Sequence, residues 1–276
     1  MKDKAKSTTA IVGVGNMGGS LAQGLLDNDW PSDNILLVGK SSEQCNALRS
    51  TFPNCKIVTI EELTGEQIQT IILAVKPNSL QSTCTQLTSL SDETVFISAA
   101  AGVPITAIRQ WLGKQRIIRC MPNTPAAIGL GMTGIYADQQ VPEASKKIAN
   151  DILSCTGATL WVANESMLDV VTAISGSGPA YLFYFMECLQ KTAQEAGLNE
   201  QESYLLVSQM IYGAATLANQ KEADFEQLRI AVTSKGGTTE KALQSLMEAD
   251  FNHIIHQAVT AATKRATQIS QSFTEE

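Results

Sequence analysis

The stretch that most limits the folds open to this chain is Thr9 to Leu26, TAIVGVGNMGGSLAQGLL. A short apolar run, Ala10-Ile11-Val12, leads into Gly13-Val14-Gly15-Asn16-Met17-Gly18, and a helical spacing of leucines follows at Leu21, Leu25 and Leu26. Strand, glycine turn and helix in that order are the setting in which G-x-G-x-x-G reads as a dinucleotide-binding turn. Gly13 permits the tight turn, Gly15 lets the backbone approach a pyrophosphate without a Cβ, and Gly18 lets the helix lie close on the strand. From Asn16 and Met17 onward the first helical N–H groups and the positive end of the helix dipole face the phosphates. An ordinary tight turn between strand and helix is the plainer reading; the pattern on either side favours the dinucleotide.

The first half continues the alternation. Strands are expected at 34–38, 56–58, 70–75, 94–98, 116–120, 133–136 and 159–162, and helices at 42–50, 104–112 and 143–153. Residues 70–75 are almost continuously apolar, as a strand covered on both faces should be. From about residue 164 the strands stop. A long helix over 167–196, interrupted near Gly176-Ser177-Gly178-Pro179, is followed by helices at 201–219, 225–232 and 239–269. The expected fold is therefore α/β. A doubly wound, Rossmann-type, mostly parallel sheet fills residues 1–163, and an all-helical domain fills residues 164–276. Ala and Leu on more than one helix face leave more apolar surface than a lone bundle needs, which predicts a subunit interface.

The net charge of −7, with no basic block, argues against nucleic acid or an anionic membrane as the main partner. The opening MKDKAKSTT is charged and lacks an apolar h-region, so it is not expected to be a signal peptide, and no run of about 18 apolar residues suggests a membrane span. The expected compartment is the cytoplasm. Six cysteines without a C-x-x-C pair read as buried, reduced thiols. His253 and His256, three apart, read as a helix face, and no metal is expected.

In NAD-binding turns of this kind a carboxylate closes the second strand and accepts from the ribose hydroxyls. Here that strand ends Val38-Gly39-Lys40-Ser41-Ser42, with no acid before Glu43. Lys40 and Ser41 would accept a 2′-phosphate that a carboxylate would repel, so NADPH is favoured, with NADH left open. Ligands of open α/β sheets lie outside the carboxyl ends of the strands. Three unusual loops fall there: Ala74-Val75-Lys76-Pro77-Asn78, Ala99-Ala100-Ala101-Gly102, and Arg119-Cys120-Met121-Pro122-Asn123-Thr124-Pro125. In the helical half, Val232-Thr233-Ser234-Lys235-Gly236-Gly237-Thr238-Thr239 is a glycine turn opening into a helix, whose unpaired N–H groups suit a small anion such as a carboxylate.

Taken together, GVGNMGG, AVKP, RCMPNTP, DVVTAISGSGPAYLF and VTSKGGTTEKAL make the chain closely resemble the pyrroline-5-carboxylate reductases, over essentially its whole length. The resemblance implies hydride transfer from NAD(P)H to the C=N bond of Δ1-pyrroline-5-carboxylate, giving L-proline in the last step of proline biosynthesis. It implies a homodimer built by the helical domain, with a ring-shaped decamer of dimers as a further stage. It implies that Thr239 bonds the ring nitrogen while Ser234, Gly237 and Thr238 hold the carboxylate. It also places Val75, Lys76, Pro77, Ala100 and Asn123 on the cofactor side with Gly13, Gly15, Asn16, Met17, Gly18, Lys40 and Ser41. One departure is Lys235, where the family usually carries Pro. Two other readings stay open at this point: a β-hydroxyacid-type dehydrogenase, and a dinucleotide-binding regulator without turnover.

Overall fold

The structure, a computed structural model, describes residues 8–220 and 224–273; the charged N-terminal MKDKAKS lies outside the described residues. By compactness the chain divides into two units. One runs to Ser177 and takes in the chain again from Ala262; the other is Gly178–Ala261. The last strand ends at Trp161, so the end of the sheet and this division fall at different places.

In the first unit an eight-stranded sheet has the order β3-β2-β1-β4-β5-β6-β7-β8. Its strands are β1 Thr9–Val12, β2 Ile35–Val38, β3 Lys56–Val58, β4 Thr70–Leu73, β5 Val95–Ser98, β6 Ile117–Met121, β7 Gly131–Ala137 and β8 Gly157–Trp161. All neighbours pair in parallel except β6 and β7, which run antiparallel. The fold is the expected doubly wound one, and its order reverses between β1 and β4.

The short apolar strands form because both of their faces are covered. Ala10 and Val12 of β1, Leu36 and Val38 of β2, and Ile71 and Leu73 of β4 join one core with Leu80, Ile105 and Ile108. The alternate residues Ile11, Ile35, Leu37 and Ile72 join a second core with Leu21, Leu25 and Ile152. Period-two strands thus feed two cores at once, and each fully buried Ile or Leu contributes roughly 1.5–3 kcal/mol relative to exposure. The helices α1 (Asn16–Asp27) and α5 (Glu143–Leu153) supply one core, while α3 (Pro77–Gln86) and α4 (Ile105–Leu112) supply the other. Helix α2 (Ser42–Thr51) follows β2.

Three elements differ from the sequence reading. The chain at Pro77 starts helix α3 rather than remaining loop, with Pro77 in its first turn, where its missing N–H costs nothing. The expected break near Gly176 takes the form of a short helix, α6 (Met167–Val171), and a π-helical turn, Thr172–Gly176. The single helix expected over 239–269 is two, α10 (Thr238–Glu248) and α11 (Phe251–Ser272), separated at Ala249 and Asp250, the latter with φ +52°. The thiol reading needs correction too. Cys45, Cys84, Cys120 and Cys155 are buried, whereas Cys55 is half-buried and Cys188 exposed.

The second unit comprises α7 (Gly178–Glu195), α8 (Glu200–Ala218), α9 (Phe225–Ala231), α10 and the first part of α11. A capping box fixes the start of α8: Glu202 N–H donates to Asn199 Oδ1 at 3.0 Å, and Asn199 N–H donates to Glu202 Oε2 at 2.9 Å. Among its described residues only Ser203 and Val207 are buried. Phe183, Tyr184, Tyr204, Leu205, Leu206 and Tyr212 are each more than half exposed. So many exposed apolar and aromatic side chains mark an interaction surface.

Candidate functional site

The sheet order places the switch point at the carboxyl ends of β1 and β4, where ligands of doubly wound sheets bind. The glycine turn sits there. Gly13 takes φ +94°, and a Cβ on it would come within 2.7 Å of Val75 Cγ1 and 2.8 Å of the Ala74 carbonyl. The turn after β1 is therefore seated directly on the start of the AVKP loop. A Cβ on Gly18 would stand 2.3 Å from the Gly13 carbonyl oxygen, which is how closely α1 approaches the strand. Gly15 differs. It is the N-cap of α1, no side chain caps the helix, its first turn holds no acid, and nothing lies within 4 Å of where its Cβ would be. The N–H groups at Asn16, Met17 and Gly18 thus have neither a side-chain cap nor an acid before them, and the space beside Gly15 is open. A pyrophosphate fits this cradle.

Lys40 and Ser41 lie just past the end of β2. Ser41 caps α2, accepting from Gln44 N–H at 3.2 Å, and Lys40 N–H donates to Gln44 Oε1 at 2.8 Å. These bonds fix the backbone while leaving the Lys40 side chain exposed. Lys76 is the N-cap of α3 and Pro77 its first residue, so a second helix start opens at the switch point. Ala100 is 2 % exposed, in the loop after β5.

Asn123 is more committed than its sequence suggests. Its Oδ1 accepts from Met132 N–H at 2.9 Å and its Nδ2 donates to the Ser175 carbonyl at 3.0 Å. The π-helical turn shifts the local bonding pattern, with Ser177 N–H donating to the Thr172 carbonyl at 2.8 Å, and Asn123 takes up the Ser175 carbonyl. Its side chain therefore braces the loop after β6. Ser175 Oγ, beside that carbonyl, is buried with no partner among the described residues.

A buried polar cluster behind these loops escaped the sequence reading. Arg119, 5 % exposed, donates to Glu165 Oε1 at 2.7 Å, and Ile105 N–H donates to the same oxygen at 2.7 Å. Asp169 accepts from Thr267 at 2.9 Å and from Ser270 at 3.4 Å. Only the long separation of partners in sequence hid it. Burial pushes the Cys120 thiol, next to Arg119, up to about 12, the guanidinium opposing that rise.

In the second unit the turn before α10 is formed. Gly237 N–H donates to the Ser234 carbonyl at 3.0 Å, Gly237 is the N-cap, and no side chain caps the helix. The first helical bond is Lys241 N–H to the Gly237 carbonyl at 3.3 Å, so the N–H groups of Thr238, Thr239 and Glu240 precede the ladder. Ser234, Thr238 and Thr239 are exposed. The cofactor-side residues thus gather in one unit and the turn residues in the other.

Comparison with known proteins bears on this arrangement. The family model for pyrroline-5-carboxylate reductase dimerisation matches residues 165–269, and that for NADP oxidoreductase, coenzyme F420-dependent, matches residues 8–102. The reductase of Pseudomonas aeruginosa is 35% identical over 269 residues, covering 96% of this chain and 97% of the relative. The chain belongs to the pyrroline-5-carboxylate reductase family. The Arabidopsis thaliana pyrroline-5-carboxylate reductase is 34% identical over 264 residues, covering 95% of each chain. The structure of the Coxiella burnetii reductase aligns with a TM-score of 0.90 at 34% identity, covering 96% of this chain and 99% of that one. The Plasmodium falciparum pyrroline carboxylate reductase, solved with NADP bound, aligns at 0.82 and 28% identity, covering 96% and 98%.

Proposed function

We propose that this chain reduces the C=N bond of Δ1-pyrroline-5-carboxylate to give L-proline, the last step of proline biosynthesis, with NADPH as the preferred reductant and NADH as an alternative. Family membership and the fold support the reaction class. The observation that carries the site is the uncapped start of α10 at Gly237, with two threonines exposed in its first turn.

The cofactor side consists of Gly13, Gly15, Asn16, Met17 and Gly18 at the pyrophosphate, and Lys40 and Ser41 at the 2′-phosphate. Val75, Lys76, Pro77, Ala100 and Asn123 form the nicotinamide end. Asn123 acts there chiefly by holding its loop, since both ends of its amide are engaged. Bound in this way, NADPH supplies the hydride. The rest falls to side chains that orient. A cyclic imine protonated in solution is already electrophilic, so the protein needs geometry and a dry pocket more than a strong acid. The N–H groups at the start of α10, with Ser234 and Thr238, hold the substrate carboxylate, and Gly237, whose own N–H is given to the Ser234 carbonyl, shapes the corner that carries them. Thr239 Oγ bonds the ring nitrogen and fixes which face is offered to the hydride.

The two sets of residues belong to different functional domains, 1–163 and 164–276. We place the turn of one subunit against the cofactor of another in a homodimer. The exposed aromatic faces of α7 and α8, and the match of residues 165–269 to the family's dimerisation model, support the dimer. A ring-shaped decamer of dimers is the extension of that reading. Among the described residues no helix is long and apolar enough to cross a membrane, and we assign the enzyme to the cytoplasm.

The test is Thr239→Ala, assayed by oxidation of NADPH with pyrroline-5-carboxylate. Turnover should fall about tenfold or more with NADPH affinity nearly unchanged. Wild-type kinetics in this variant would remove Thr239 from the mechanism.

A further inference from the structure

Residues Ser234, Lys235, Gly236 and Gly237 make a four-residue turn closed by the Gly237 N–H to Ser234 carbonyl bond of 3.0 Å, with Gly236 at φ +73°. Lys235 is not among the positive-φ residues, so the turn is of type II. The second position of such a turn is where proline fixes φ in advance. Lys235 occupies it here and is exposed, so no ring restrains the chain beside two consecutive glycines. Unrestrained glycines carry a large conformational entropy that substrate binding would have to remove.

One side chain supplies the missing restraint. Glu240 Oε2 accepts from Gly236 N–H at 2.7 Å. Glu240 is the third residue of α10, the position from which a Glu ordinarily reaches back to the N–H of the helix cap. That N–H, on Gly237, is already given to Ser234, so Glu240 reaches one residue further into the crown of the turn. The carboxylate also lies within the first turn of the helix, where negative charge is favoured. Lys235 returns a positive charge to the same segment, so the pair adds no net negative charge beside the proposed carboxylate site.

We propose that Glu240 is a positioning residue that latches the Ser234–Gly237 turn, holding Ser234, Gly237, Thr238 and Thr239 in register before substrate arrives. The inference rests on the reading of this turn as the substrate site. It assigns to Glu240 the restraint that proline would give at position 235.

The test uses the full-length enzyme with pyrroline-5-carboxylate and NADPH. Glu240→Ala should raise the substrate KM about tenfold, with kcat within about twofold and the KM for NADPH unchanged, because only preorganisation is lost. Glu240→Gln keeps an acceptor oxygen and should recover most of the loss. Lys235→Pro combined with Glu240→Ala should bring KM back to within about threefold of wild type. A wild-type KM in Glu240→Ala, or an equal rise in KM in the proline background, would overturn the latch. If Thr239→Ala is impaired while Glu240→Ala is not, the latch fails and the site reading stands. Wild-type behaviour of Thr239→Ala would instead bring down the site reading itself.

Discussion

Substituting Ala at Gly15 and at Gly18 should separate cofactor binding from folding, because the two glycines are small for different reasons. At Gly15 the backbone is extended, φ −93° and ψ −152°, and no atom lies within 4 Å of the added methyl. The free protein should therefore tolerate Gly15→Ala, with stability unchanged or raised by up to about 1 kcal/mol through the less flexible unfolded chain. In the cofactor site proposed above, the methyl would stand where a phosphate approaches the backbone. Moving that contact outward should weaken NADPH binding roughly 30- to 100-fold, about 2–3 kcal/mol. At Gly18 the methyl would lie 2.3 Å from the Gly13 carbonyl oxygen, a rigid backbone atom. Restoring an ordinary contact requires the start of α1 to retreat by about 1 Å, which costs about 1–3 kcal/mol of core packing around Leu21 and Leu25. That corresponds to a fall in Tm of roughly 3–10 °C. Fluorescence titration with NADPH and thermal melts of both variants read the two quantities. The reasoning fails if Gly15→Ala binds NADPH like wild type, or if Gly18→Ala melts like wild type.

Lys40→Asp should raise the KM for NADPH about tenfold or more and narrow or invert the preference over NADH, in steady-state kinetics with each cofactor. Burial pushes the Cys84 thiol from 9.0 up to about 12. The folded state thus keeps a proton that the unfolded state gives up above pH 9.0, and stability from this group is full below that pH and lost between it and about 12. Urea unfolding at pH 8 and pH 10 should show about 1 kcal/mol less alkaline loss in Cys84→Ala than in wild type. An identical loss would place the alkaline sensitivity elsewhere. Phe183→Glu, on the exposed face of α7, should shift the protein toward monomer in size-exclusion chromatography and abolish most activity; a fully active monomer would refute the shared site.

The sheet was legible because its signals are local. Ile11, Ile71 and Ile72 sit in apolar runs that only a doubly covered strand explains, and each is fully buried. Helix α3 was missed because PNSLQSTCTQ is polar and its proline reads as a stop, although proline suits a first helical turn equally well. The break between α10 and α11 carries neither Gly nor Pro; Asp250 accepts a left-handed backbone without announcing it. Within the site, the left-handed turn at Gly13 and the close packing at Gly18 were readable, since both follow from the motif. The roles of Asn123 and Glu240 were not. Asn123 bonds Ser175, 52 positions away, and the reach of Glu240 depends on which turn N–H is already taken. Pairings of this kind are decided by three-dimensional competition for donors, which residue spacing does not record.

Helix α11 has a practical corollary. Its closing residues belong to the compact unit that contains the sheet: Gly102 has room for no more than hydrogen against Ile269, Asp169 takes hydroxyls from Thr267 and Ser270, and Phe273 meets Trp111 edge-on at 6.2 Å. A gene fragment ending at residue 163 would thus lack the lid over the Ala99–Gly102 loop. The nucleotide-binding half should be produced with residues 164–177 and its distant tail present, never by simple truncation at residue 163.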